Sequence, residues 1–220
     1  MTSTRATWES MWSAGLPRGA AFDCGEASRA LMSWMGKISS RASPKSALVA
    51  GCGRAYDAIE LARAGLSVTA LDIAPTACKA ARALVAEEAD REVASRVDVV
   101  EGDFFAHDRA YDFAWDCTFC CALPLELRER WAERYSGMIQ PGGMLICLVF
   151  PIVPAGHPMT RGGPPFPMTV DAVRALLEPK GFTMEEVRDP LPQDVKHRPG
   201  GAPSGPTGPG SALVAFVRDT

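Results

Sequence analysis

The chain has 220 residues, is 47% hydrophobic and carries a net charge of -3. That length fits one α/β domain over residues 1–220 with a sizeable core, and a slightly acidic chain without a Lys/Arg cluster argues against nucleic acid as its main partner. No apolar run reaches the length of a membrane span, and the N-terminus lacks the basic start and apolar core of a signal peptide, so a cytoplasmic monomer acting on a small molecule, with no membrane partner, is expected.

Seven cysteines are an odd number, and most sit in apolar surroundings. They read as reduced thiols rather than a disulfide framework.

Taken in order, Trp8, Met11 and Trp12 recur at i, i+3 and i+4 and predict one face of a short helix capping the core. After a loop over 15–23, residues 25–39 place Ala27, Leu31, Trp34, Met35 and Ile38 on one side of a second helix. The apolar run Ala47-Leu48-Val49-Ala50, the turn Gly51-Cys52-Gly53-Arg54-Ala55 and the amphipathic run to Arg63 read as a buried strand passing through a tight loop into a helix. This is the opening of a nucleotide-binding βαβ unit, and Gly51 and Gly53 let the backbone approach a ligand closely. A second strand over 67–71 ends at Asp72, about twenty residues beyond the first glycine, where an acidic residue can hydrogen-bond two ribose hydroxyls.

A dinucleotide site wants a third glycine where Tyr56 stands. The small residue is instead Ala55, giving G-x-G-x-A, the spacing of S-adenosylmethionine-dependent methyltransferases. That cofactor has no pyrophosphate to seat on the helix N-terminus.

Pro75 opens a helix to Ala89 with Cys78, Ala81, Leu84 and Val85 at helical spacing. A third strand over 97–101 leads into Gly102-Asp103-Phe104, where Asp103 can accept from an adenine amino group and Phe104 offers an apolar wall; the plainer reading of Asp103 is a turn residue bonding its own backbone. A fourth strand over 111–116 runs into Cys117-Thr118-Phe119-Cys120-Cys121-Ala122, a helix is expected over 124–139, and a fifth strand over 144–150 is apolar as a central strand should be. Ligands of such sheets bind beyond the carboxyl ends of the strands, so 117–122 and the segment from Pro151 are expected to face the same crevice as Gly51, Asp72 and Asp103. The Pro/Gly-rich run 151–167 reads as a lid or binding loop. A helix over 169–177 and two edge strands, 182–187 and 212–217, complete the pattern, with a mobile Pro/Gly-rich stretch expected over 190–211.

Together, the tryptophan pair, the Gly51–Gly53 loop, Asp72 and Asp103, the segment 116–122 and Gly162-Gly163-Pro164-Pro165 resemble the halide/thiol methyltransferases of the thiopurine methyltransferase superfamily. The resemblance implies a three-layer, Rossmann-like class I methyltransferase fold with a seven-stranded sheet, the last strand antiparallel, and an N-terminal helical lid over residues 1–40. It implies S-adenosyl-L-methionine as cofactor and S-adenosyl-L-homocysteine as product, and it makes Trp8, Trp12 and Phe22 lid residues over that cofactor. By the same carry-over Gly51, with Gly53, meets the methionine part, Asp72 and Ile73 the ribose, and Asp103 and Phe104 the adenine. The family's tyrosine near the methionine end and the acceptor falls on Cys117 here.

Methyl transfer to an anion such as hydrosulfide, a thiolate or a halide needs dehydration and alignment rather than a base. Phe22, Phe119, Phe166 and the tryptophans suit a closed apolar pocket. A neutral acceptor would call on a base, for which Asp23, Asp116 and His157 are the candidates. Arg161 can draw an anion to the pocket mouth. Cys117, Asp116 and Arg161 are therefore the candidate acceptor-side residues. No metal site is expected, since the C-x-x-C of Cys117 and Cys120 has no second ligand pair.

Overall fold

The computed structural model describes residues 2–40, 46–157, 162–197 and 208–220. Seven strands are hydrogen-bonded in the order β3-β2-β1-β4-β5-β7-β6, and the chain divides into two compact units, one running to His107 and one beginning at Asp108.

The first unit holds α1 (Thr2–Ser13), α2 (Arg29–Met32), α3 (Met35–Ser40), β1 (Ser46–Ala50), α4 (Tyr56–Arg63), β2 (Ser67–Asp72), α5 (Pro75–Glu87), α6 (Arg91–Ser95) and β3 (Val97–Glu101). β1 pairs with β2 and β2 with β3, both parallel, and α4 and α5 pack on the strands. Leu48, Val68 and Leu71 are buried between them, each contributing about 2 kcal/mol of apolar burial. Pro75 starts α5, where its missing N–H is one the helix would leave unpaired in any case. The single helix expected over 25–39 is two, because the chain turns at Ser33 and Trp34. The short α6, capped by Asp90 accepting from the backbone N–H groups of Glu92 and Val93, has too few residues for periodicity to reveal it.

The second unit holds β4 (Tyr111–Cys117), α7 (Arg128–Met138), β5 (Ile139–Ile152), α8 (Val170–Leu177), β6 (Phe182–Arg188) and β7 (Gly210–Arg218). β4 and β5 are parallel, while β7 runs antiparallel to both β5 and β6, as expected of the last strand. The expected helix over 124–139 starts only at Arg128, behind a 3-10 turn at Leu125–Leu127. β5 begins earlier than its apolar run, at Ile139, with a shift in register against β4 before Met144. Gly143 sits at that shift, where a Cβ would come within 2.9 Å of the Asp112 carbonyl oxygen. Thr169 caps α8 by accepting from the Ala172 N–H at 3.1 Å, the role its residue type predicts. Of the stretch 190–211, residues 198–207 lie outside the described residues. Leu191 is buried, and its N–H donates to the Ser211 carbonyl. Among the described residues no helix is long and apolar enough to cross a membrane.

Candidate functional site

The turn after β1 alternates through left-handed backbone, with φ of 62° at Gly51, 53° at Gly53 and 66° at Ala55. Glycine adopts that region without steric cost and alanine does not, so Ala55 carries local strain at the N-cap of α4. Cys52 N–H donates to the Leu71 carbonyl at 3.0 Å, tying the turn to the end of β2. There Asp72 is 8% exposed. Its Oδ2 accepts from Gly53 N–H at 3.0 Å and its Oδ1 from Ala74 N–H at 2.9 Å. Burial raises its carboxyl above the usual range, and the backbone donors of Ala74, Gly53 and Ile73 oppose that shift. The carboxylate thus clamps the glycine turn to the start of α5, and the partly buried Ile73 continues the chain between those two contacts.

α1 covers this clamp. Trp12, 5% exposed, packs with Ala74 and Ala77, and Trp8 and Leu16 lie against the same cluster. A Cβ on Gly53 would lie 3.4 Å from Trp12 Cζ2. Phe22 meets the edges of both tryptophans, at 5.5 Å from Trp8 and 5.7 Å from Trp12. The structure therefore gathers Trp8, Trp12, Phe22, Gly53 and Asp72 into one place. Asp103 caps the 3-10 turn Phe104–Ala106, its Oδ1 accepting from Phe105 N–H at 2.9 Å, and Phe104 is buried against Phe105. That bond is the turn role open to Asp103 from its sequence, and it engages one oxygen of the two.

Two residues that hold α1 and the loop of Phe22 in place were not singled out from the sequence. Glu9 accepts from Thr76 N–H at 3.0 Å and from Thr76 Oγ1 at 2.5 Å, which pins α1 to the first turn of α5. The Thr76 hydroxyl and then its N–H hold the Glu9 carboxyl below its usual range. Arg54, inside the glycine turn, donates to Asp23 Oδ2 at 2.6 Å and to the Leu16 carbonyl at 2.5 Å, with its guanidinium 5.3 Å from the Trp12 ring. Asp23 Oδ1 accepts from Gly19 and Gly25 N–H. The loop bearing Phe22 is therefore built around a carboxylate already committed to three donors. An arginine inside a glycine turn was the available signal, but its partner lies 31 residues away.

In the second unit, Asp116 is 1% exposed at the end of β4. Its Oδ1 accepts from Cys120 N–H at 3.1 Å; its Oδ2 accepts from Trp131 Nε1 at 2.7 Å and Tyr135 Oη at 3.3 Å. Burial raises its carboxyl, against the pull of those same donors. Cys117 is partly exposed and precedes Thr118, whose φ of 59° is unusual for a β-branched residue. The Thr118 hydroxyl donates to the Cys117 carbonyl at 2.6 Å, and Cys121 Sγ to the Thr118 carbonyl at 3.1 Å. Cys120, Cys121 and Cys147 are buried, with thiols pushed up by desolvation and by Asp116, the state of inert core thiols. Among the described residues no group of His, Cys, Asp and Glu could hold a metal. His157 closes a turn by donating its N–H to Pro154. Arg161 lies outside the described residues.

The thiopurine S-methyltransferase family model matches residues 3–205. The chain belongs to that family. It is 34% identical to a probable thiol methyltransferase 2 of Arabidopsis thaliana over 65% of this chain and 61% of that protein, so less than two thirds of that relative is spanned. It is 29% identical to thiocyanate methyltransferase 1 of Brassica oleracea over 83% of this chain and 76% of that one. The fold of this family member is that of the glycopeptide N-methyltransferase MtfA solved with S-adenosyl-L-methionine, with a TM-score of 0.66, 15% identity and coverage of 87% and 95% of the two chains.

Proposed function

We propose that the protein transfers a methyl group from S-adenosyl-L-methionine by in-line displacement to a small anionic acceptor, a thiolate, hydrosulfide or halide, and releases S-adenosyl-L-homocysteine. The observation that carries this reading is the buried carboxylate of Asp72 clamping a left-handed glycine turn beneath the Trp8–Trp12–Phe22 cluster. Its donor set fits the cofactor. The backbone N–H groups of Gly53, Ala74 and Ile73 reach the Asp72 carboxylate, whose two oxygens accept from about four donors, so capacity for a ribose hydroxyl remains.

When bound, the cofactor supplies a methyl group on a positively charged sulfonium. Gly51 and Gly53 admit its methionine part close to the backbone, Asp72 and Ile73 hold the ribose, and the second Asp103 oxygen and Phe104 take the adenine. Trp8, Trp12 and Phe22 exclude water, which suits an anionic nucleophile that must be dehydrated and aligned. Asp23 and Asp116, the carboxylates a neutral acceptor would call on as bases, are both engaged by protein donors, which favours an acceptor that needs no base. From the sequence pattern, Cys117 and Arg161 are assigned to the acceptor. The names of the thiol and thiocyanate methyltransferase relatives support a sulfur or pseudohalide acceptor, and the family name supports a larger thiol as the second reading.

The test is headspace gas chromatography of the purified protein with cofactor and, separately, iodide, bromide, chloride, thiocyanate and hydrosulfide. Volatile methyl product is expected, with at least one acceptor. Asp72→Asn, checked for folding by circular dichroism, should weaken cofactor binding about 10–100-fold, as losing a charge-assisted hydrogen bond does. Cofactor binding with no volatile product and turnover of an aromatic thiol would replace the small anion with the larger acceptor.

A further inference from the structure

Arg128 opens α7 with its side chain buried, at 6% exposure, and among the described residues its Nε and Nη2 have no hydrogen-bond partner. These two nitrogens form one edge of the guanidinium, the edge whose N–H bonds run parallel and match the two oxygens of a carboxylate. A cation is out of place at a helix N-terminus, and buried donors in native proteins are almost always paired. Asp116, the buried carboxylate of the same unit, accepts from Cys120, Trp131 and Tyr135 and not from Arg128.

What covers Arg128 is a ring. The Phe166 centroid lies 6.0 Å from its Cζ, and Phe166 is held by its own N–H donating to the Cys121 carbonyl at 2.7 Å. The ring also rests on Gly163, where a Cβ would come within 2.4 Å of it. The positive charge of Arg128 acts on the Cys120 and Cys121 thiols, lowering what burial and Asp116 raise, so the guanidinium belongs to the same cluster as the turn after β4.

We propose that the Nε–Nη2 edge of Arg128 is a binding site for the carboxylate of a small organic acid, closed over by Phe166. A water molecule can accept from both donors but leaves the buried charge uncompensated. A carboxylate does both, with two parallel bonds. This site goes beyond the methyl-transfer reading and shares with its expected apolar pocket only Phe166.

The test is calorimetry on the full chain without methyl donor or acceptor, titrating benzoate and acetate against benzamide and acetamide. The acids should bind at least tenfold more tightly than the amides of the same shape. Arg128→Lys, which keeps the charge and loses the fork, should weaken acid binding at least tenfold while its circular dichroism and melting stay those of a folded protein. A crystal grown with 4-bromobenzoate should place the bromine anomalous peak beside Phe166. Equal binding of acid and amide, undiminished binding in Arg128→Lys, or a crystal structure at saturating benzoate with only water or carbonyl oxygens on Nε and Nη2 would overturn the proposal. The acid–amide comparison needs no variant, so a misfolding Arg128→Lys does not decide it. Because no methyl transfer is read, failure here leaves the proposed activity intact, and failure of that activity leaves this site intact.

Discussion

Asp116→Asn separates a carboxylate that organises the turn after β4 from one that takes a proton in catalysis. The asparagine oxygen can replace Oδ2 and keep the Trp131 and Tyr135 bonds, but its amide then faces the Cys120 N–H, donor against donor. Two bonds pass from a charged to a neutral acceptor, at about 1 kcal/mol each, and one buried donor is orphaned for about 2 kcal/mol more. Removing a charge that burial disfavours offsets part of this, so a net loss of about 2–4 kcal/mol is expected. The pH dependence has a definite sign. Burial raises the folded carboxyl, so its contribution is fully present below the unfolded pKa and is lost as pH rises through the folded value; the asparagine variant lacks that component. Urea unfolding followed by tryptophan fluorescence across pH reads both effects. Turnover with saturating hydrosulfide, at a temperature where the variant is folded, should stay within about tenfold of wild type. A rate loss of about 100-fold or more at unchanged stability is what loss of a general base would give, and it would refute the structural account of Asp116.

Two further perturbations probe other links. Gly53→Ala forces a side chain into left-handed backbone, at about 1–2 kcal/mol, beneath Trp12; cofactor affinity measured by calorimetry should fall with stability, and an unchanged affinity would detach the turn from the binding site. His197, whose ring meets Phe150 at 4.6 Å, has its imidazole pushed down by desolvation from 6.5 to about 4. Its contribution to stability is present above the unfolded value and is lost as pH falls from 6.5 towards 4, by at most about 3 kcal/mol. His197→Phe should flatten the stability profile across that window in urea titrations, and an identical slope in both proteins would rule this origin out.

The strand–turn–helix of 46–63 and the acid that closes β2 were legible because everything that defines them is local. An apolar run, two glycines in a tight turn and a carboxylate about twenty residues on are read along the chain without knowing what packs where. The same holds for Pro75 at the start of α5 and Thr169 at the cap of α8. The split of 25–39 into two helices was not legible, since Ala27, Leu31, Trp34 and Ile38 keep one apolar face on either side of the break at Ser33 and Trp34.

Tertiary structure alone decided what the charged groups do. Glu9 reaches Thr76 across 67 residues and Arg54 reaches Asp23 across 31, and nothing in residue type or spacing announces either pair. Asp116 looks in the sequence like any acid at a strand end; only folding brings Trp131 and Tyr135 from α7 onto its oxygens. Arg128 reads as an ordinary helix arginine until the ring of Phe166 covers it. Hydrophobic period and backbone preference are properties of neighbouring residues, whereas the partner of a buried charge is chosen by packing between segments far apart in the chain.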